Sequence, residues 1–407
     1  MNKKQTYILI AALMVIWFLF SSILRANLSD SPDCVRWFND HNDRWLYMLR
    51  GEWFPQHSLP YVDVLSEYPQ IPTYLFGLLY LFIPTTDVQG VYFLHSSIFS
   101  LLMLVSLFFT IRMLYAMLPE RKWLAYFMLL QGTLYFTYNR FDILPAFLVL
   151  WSLWSLRRQK FVATGILLGI GALTKWYPAL LLPVYLSYDY ALHKRVNWKM
   201  ILAFTVTGIL IALPTLLTGG PAAFLSPYLL HAGRGLEQVS LPALLRLLFG
   251  TIGFYPSTVL LTNIFLALQF LPTPLSLFAR IDTEEKLLHW NILVIGAFIL
   301  FSRIYSPQWL LWLMPFLILA VRDWFDIIWI IIYNVVTYLT FPIAVDLYGM
   351  DSLAYKIGGE ATAAILMVIL GLAIARSKVK FSWNFLDLVA QPVKALRRSG
   401  LAKKAPQ

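Results

Sequence analysis

Apolar runs broken by short polar turns repeat along almost the whole chain. The first, YILIAALMVIWFLFSSIL (Tyr7–Leu24), is longer than the core of a secretion signal. Arg25 follows it without a small-residue cleavage site. It reads as an uncleaved first span with Lys3 and Lys4 on the inner side. Basic residues then collect in the turns: Arg112, Arg121 and Lys122; Arg157, Arg158 and Lys160; His193, Lys194, Arg195 and Lys199; Arg280 and Lys286; Arg322; Arg376, Lys378 and Lys380. Inner loops of membrane proteins are enriched in Lys and Arg. All these turns fall on one side only if Ile71–Ile83 does not span. That segment is short for a helix crossing about 30 Å of hydrocarbon, and Pro72 and Pro84 sit at its ends. A re-entrant or interfacial helix is expected there, inside a long first outer loop, residues 25–90. About twelve transmembrane helices result. Those near 123–138, 142–156, 161–174 and 177–190 are short or interrupted by proline, as suits helices that stop early around a cavity.

The predicted fold class is therefore an all-α polytopic membrane protein. Composition strengthens that reading: 59% of the 407 residues are hydrophobic, only 13% are charged, and the mean hydropathy is +0.67. Soluble domains carry about 25% charge. A net charge of +11 would invite a nucleic-acid partner, but much of the basic excess sits in the turns and the tail. It is a topology signal, and nucleic acid is set aside. The single cysteine, Cys34, excludes an internal disulfide framework and a multi-cysteine metal site. Residues 1–380 read as one transmembrane module. The segment 381–407 mixes Trp383, Phe385, Leu386 and Val389 with Lys394, Arg397 and Arg398, as a basic amphipathic cytoplasmic tail would; a disordered basic end is the alternative.

Sorting the polar residues by side exposes an anomaly. Arg140, Lys175, Arg234 and Arg303 are assigned to the outer face, where positive charge is disfavoured. A charge near the membrane core costs roughly 2.5–3.5 kcal/mol on insertion scales, so Lys175 needs a reason. A shared anion at that face supplies one, because Arg and Lys together hold phosphate well. The plainer reading pairs each cation with a local acid, for instance Arg140 with Asp142. The first outer loop also holds the acids Asp30, Asp33, Asp40, Asp43, Asp63 and Glu67, with Trp37, Trp45, Trp53, Tyr61 and Tyr68 among them. A carboxylate there suits a general base for glycosyl transfer to a hydroxyl, and the aromatic faces suit sugars or lipid. Transfer from a lipid-phosphate donor accounts for all three features. The competing class is a transporter or flippase of a lipid-linked or anionic substrate, for which related halves are expected; none is visible.

These residues also resemble a family. LPYVDVLSEYPQIPTYLF (Leu59–Phe76) is similar to the PY-D-EYPP segment of glycosyltransferase family 87, the polyprenol-phosphate-mannose-dependent membrane mannosyltransferases. The likeness continues through NRFDILPAFLVLWSLWSLRRQKFVATGILLGIGALTKWYPALLLPVYL (Asn139–Leu186), HAGRGLEQVSLPALL (His231–Leu245) and IYSPQWLLWLMP (Ile304–Pro315). It implies a GT-C fold with its active site at the extracytoplasmic face. The reaction implied moves a hexose, by family analogy mannose, from a polyprenyl-phosphate sugar to a lipid-linked or envelope glycan acceptor, with inversion. The family's base is an outer-loop aspartate shortly before an aromatic, a slot that Asp33 fits with Trp37 four residues on; Asp63 and Glu67 are the alternatives. Lys175 and Arg234, supported by Arg140 and Arg303, are expected at the donor phosphate. Asp142, Tyr68, Trp176, His231, Glu237 and Gln308 are expected at substrate. Glu67-Tyr68-Pro69-Gln70 departs from EYPP at its last position, which bears on packing rather than chemistry. No cofactor is implied, the donor being a co-substrate; a divalent ion on the outer-loop acids is the less favoured alternative.

Overall fold

The computed structural model describes residues 3–26 and 36–377. Among them every regular element is a helix. Helix α1 (Lys3–Ala26) leads into α2 (His41–Gly51), α3 (Gln70–Leu78) and α4 (Val88–Met117). Then come α5 (Gln131–Asn139), α6 (Ile143–Arg157), α7 (Phe161–Ala172), α8 (Tyr177–Leu180), α9 (Leu182–His193) and the long α10 (Trp198–Gly233). The remainder is α11 (Leu241–Thr251), α12 (Thr258–Phe270), α13 (Pro272–Phe278), α14 (Glu284–Leu300), α15 (Leu310–Ala320), α16 (Trp324–Tyr338), α17 (Val345–Tyr348) and α18 (Leu353–Ser377). Six stretches of the described residues are helical, long and apolar enough to cross a membrane: Gln5–Ser22, Val88–Met117, Trp198–Gly233, Thr258–Phe278, Trp324–Tyr348 and Leu353–Ser377. Shorter apolar helices accompany them, including Ile143–Arg157, Phe161–Ala172 and Pro307–Ala320. The chain is a multi-pass membrane protein.

The expected short helix of the first loop is present: α3 runs into a 3-10 turn, Leu79–Phe82. Together they reach only about 20 Å. They pack on α2 and the first turns of α4 through stacked Tyr47 and Phe76 (4.5 Å), with Phe99 and Phe141 against the same pair. Each such aromatic contact adds about 0.5–1.5 kcal/mol beyond burial. The His95 ring nitrogen sits 3.0 Å from the Phe76 carbonyl oxygen, tying α4 to α3. Residues 381–407, read above as a tail, lie outside the described residues.

The junctions between helices form two sets. One set, at α5–α6, α7–α8, α10–α11, α14–α15 and after α16, surrounds a cavity. The other set carries the basic turns, which are tied to one another: Arg157 to Glu284 at 3.3 Å, Arg322 to Glu285, and Arg121 to the Val321 carbonyl at 2.9 Å. Helix α10 bends at Gly220, where φ is +66° and Pro221 follows. Only glycine adopts that conformation readily. The bend lets Pro221–Gly233 turn toward the cavity.

The two glycines of the GILLG stretch, Gly165 and Gly169, have a packing role. A Cβ on Gly165 would meet the Met200 carbonyl oxygen, and one on Gly169 the Phe204 carbonyl oxygen at 2.9 Å. Small residues four apart let two membrane helices approach backbone to backbone, and α7 leads directly to Lys175. Gly165→Val is expected to lower stability by about 1–3 kcal/mol, the usual penalty for overpacking. A drop in melting temperature of the detergent-solubilised protein checks this; an unchanged value would show that α7 and α10 separate freely.

Candidate functional site

The cavity has a volume of about 810 Å³. Helix α2 builds one wall. Asp40 caps it, its carboxylate accepting from the Asn42 N–H at 3.0 Å, while its own N–H donates to Asn139 Oδ1 at 2.9 Å. The start of α2 is thereby fixed to the end of α5. Asp43, Leu46 and Arg50 follow on the cavity side, at the i, i+3, i+7 spacing of one helical face.

Arg140 lies between these acids. It is 3% exposed, its Nη2 bonds the Asp40 carboxylate, and its Nε is 2.6 Å from Asp43 Oδ2. Burial alone would push the Asp40 carboxyl up, but the charge and hydrogen bond of Arg140 hold it below the usual carboxylate range. Asp43 goes the other way: burial pushes it up, Arg140 offsets only part of that, and the neighbouring Asp40 charge adds to the rise. Arg140 thus carries two acids, and neither is Asp142, the sequence neighbour that simple local pairing would choose.

Asp142 belongs to Lys175 instead. Its side chain is buried beneath the cavity rather than lining it. Oδ1 accepts from Trp312 Nε1 at 2.9 Å and lies 3.6 Å from Lys175 Nζ. The ammonium sits 4.5 Å above the Phe141 ring. Arg234 is looser still, 3.9 Å from Glu237 and about half exposed. Arg50 and Glu67 form a close pair at 2.7 Å. Arg303 donates to the carbonyls of His231 and Ala232, at 2.9 and 2.8 Å, and fixes the end of α10. Glu237 accepts from the Tyr305 N–H at 2.9 Å, and burial raises its carboxyl above the usual range.

Of the expected residues, Glu67, Tyr68, Arg140, Lys175, His231, Arg234, Glu237 and Gln308 meet in this one cavity. Asp63 does not; exposed, it closes a local turn by accepting from the Leu59 N–H at 2.8 Å. Arg303 and Trp176 line a second space of about 120 Å³ that shares Glu67, Tyr68, Lys175 and His231 with the first. Its other walls are largely aromatic and apolar, including Phe270, Phe298, Trp309 and Trp312. The His231 ring nitrogen contacts the Glu67 carbonyl oxygen at 3.0 Å at the boundary. Asp33 lies outside the described residues. Asp43 and Arg50 are residues that sequence reasoning did not single out; the helical spacing of α2 was the available signal. Among the described residues no three His, Cys, Asp or Glu side chains converge as metal ligands would.

No curated protein matches the chain. The model of glycosyltransferase family 87 matches residues 73–307, more than half of it. The matched span takes in Arg140, Lys175 and Arg234, while the segment with Asp33, Asp63 and Glu67 precedes it. The chain belongs to glycosyltransferase family 87, and so to the GT-C type of membrane glycosyltransferases.

Proposed function

We propose that this glycosyltransferase moves a hexose, mannose by family analogy, from a polyprenyl-phosphate donor to a lipid-linked or envelope glycan acceptor at the extracytoplasmic face. The observation that carries the reading is the join between two spaces of opposite character. A charged cavity adjoins an aromatic groove, and Lys175 and His231 stand on the boundary. A lipid-linked sugar phosphate has the matching division: polar sugar, anionic phosphate, apolar chain.

How tightly each cation is already paired sorts the four sequence candidates. Arg140 is held by two aspartates, and Arg303 serves backbone carbonyls. Lys175 and Arg234 stand 3.6 and 3.9 Å from their acids, beyond hydrogen-bond distance, and have donors free for phosphate oxygens. They stabilise the charge that develops on the departing polyprenyl phosphate. Asp33, three residues ahead of the cavity-lining Arg36, removes the proton of the acceptor hydroxyl, which attacks the anomeric carbon as the phosphate leaves from the opposite face. Glu67, locked to Arg50, orients the acceptor.

Incubating the purified protein with polyprenyl-phosphate mannose and a membrane lipid extract tests this directly. A mannosylated lipid or glycan product is expected. Uptake into vesicles without any product would replace the reading with transport. Sidedness has its own check in a Cys34→Ser background. Ala232→Cys, exposed on the cavity side, should react with an impermeant thiol reagent added outside intact cells, and Gln159→Cys should not. The reverse pattern would place the cavity on the cytoplasmic side.

A further inference from the structure

Asp142 is fully buried and lies behind the cation assigned to the donor phosphate. Its Oδ1 is shared by the Trp312 indole N–H and the Lys175 ammonium, while Oδ2 has no hydrogen-bond partner. Trp312 is itself fixed, stacked on Tyr177 at 4.4 Å and on Trp309 at 4.9 Å. A buried carboxylate with so few donors depends on the cation paired with it. Seen from Lys175, the same arrangement restrains a flexible four-carbon stem. The ammonium has three donors, and a carboxylate at 3.6 Å orients it without consuming them. Phe141 at 4.5 Å and Trp312 at 6.0 Å flank it.

We infer that Asp142 is a positioning residue that acts through Lys175, holding the ammonium at the boundary where the phosphate of a lipid-linked donor meets its apolar chain. The inference rests on the proposal that Lys175 takes that phosphate. Asp142 touches no substrate. It sets where the positive charge stands, and Trp312 sets where Asp142 stands, so the aromatic groove and the charged cavity share one anchor. A mobile lysine would spread its charge over several rotamers and lose them on binding; a restrained one is already placed.

The test is a double-mutant cycle read as affinity for geranyl phosphate, a ten-carbon prenyl phosphate, on the full-length protein in detergent. Lys175→Gln should weaken binding roughly ten- to a hundredfold, the scale of a charge-assisted contact. Asp142→Asn should weaken it roughly tenfold when Lys175 is present and less than about twofold in the Lys175→Gln background. Equal losses in both backgrounds would overturn the inference and leave Asp142 as a packing residue, whatever the melting temperatures show. Should Asp142→Asn fail to fold, Asp142→Glu keeps the carboxylate and displaces it by one methylene from its place beside Lys175. Its loss of affinity should again require Lys175, and a loss that ignores Lys175 would overturn the inference equally. Unchanged affinity in Lys175→Gln alone is a different failure, since it removes the phosphate clamp from the proposed function.

Discussion

Removing the charge of Arg140 should destabilise the protein by about 3–5 kcal/mol, because it strands buried acid without a cation. Arg140 neutralises Asp40 and Asp43 together from a position 3% exposed, and Asp40 is also the cap of α2. In Arg140→Gln the two carboxylates would face each other across a neutral amide. Their repulsion would fall on the joint between α2 and the end of α5. The sign of the pH dependence identifies the cause. In the wild type, Asp40 has a lowered carboxyl pKa, so its contribution is present above the ordinary carboxylate value and fades as pH falls through the lowered one. Without Arg140 both acids are held above their ordinary values by burial and by each other. The folded variant then binds protons more readily than the unfolded chain and gains stability as the medium is acidified from neutral. The melting temperature of Arg140→Gln should therefore start well below wild type at pH 7 and narrow the gap toward pH 5. A gap that stays constant with pH would mean that Arg140 acts through packing alone.

Asp33→Asn should leave the fold intact and reduce transfer by roughly 10²-fold or more, the usual scale for losing a general base. The amide keeps the size of the side chain and loses its ability to accept the acceptor's proton. Prenyl phosphate affinity should be retained, because Lys175 and Arg234 are untouched. Measuring turnover and geranyl phosphate binding on one preparation separates a chemical defect from a binding defect. The informative comparison is with Asp43→Asn and Glu67→Gln, which alter two of the first-loop acids that line the described cavity. Full activity in Asp33→Asn with loss in either of those would move the base to that residue and leave the transferase reading standing.

Sequence alone determined the class of the molecule. Apolar runs of span length are dictated by the thickness of a membrane, and basic turns by the asymmetry of its two sides. Both are one-dimensional patterns, so both could be read before any contact was known. That Gln70–Phe82 forms only a short apolar helix was legible for the same reason, its length being bounded by Pro72 and Pro84 in the sequence. The oddly placed cations were legible as well, and Lys175, Arg234 and Arg140 do meet in one cavity.

Which acid serves which cation was not legible. Arg140 and Asp142 are neighbours in sequence, yet the α5–α6 junction turns them apart. Arg140 takes Asp40 and Asp43, about a hundred positions away, and Asp142 takes Lys175. Nothing local specifies such pairs. They follow from α2 docking on the end of α5 through Asp40 and Asn139, and from α7 lying close enough on α10 to deliver Lys175. The first-loop acids have the same chemistry and differ only in where the helices place them. Asp43 faces the cavity because it lies on the inner face of α2, while Asp63 closes a turn at the surface. Charge, hydropathy and length are properties of the chain. Partnership between charges is a property of distance, and distance is set only when the helices pack.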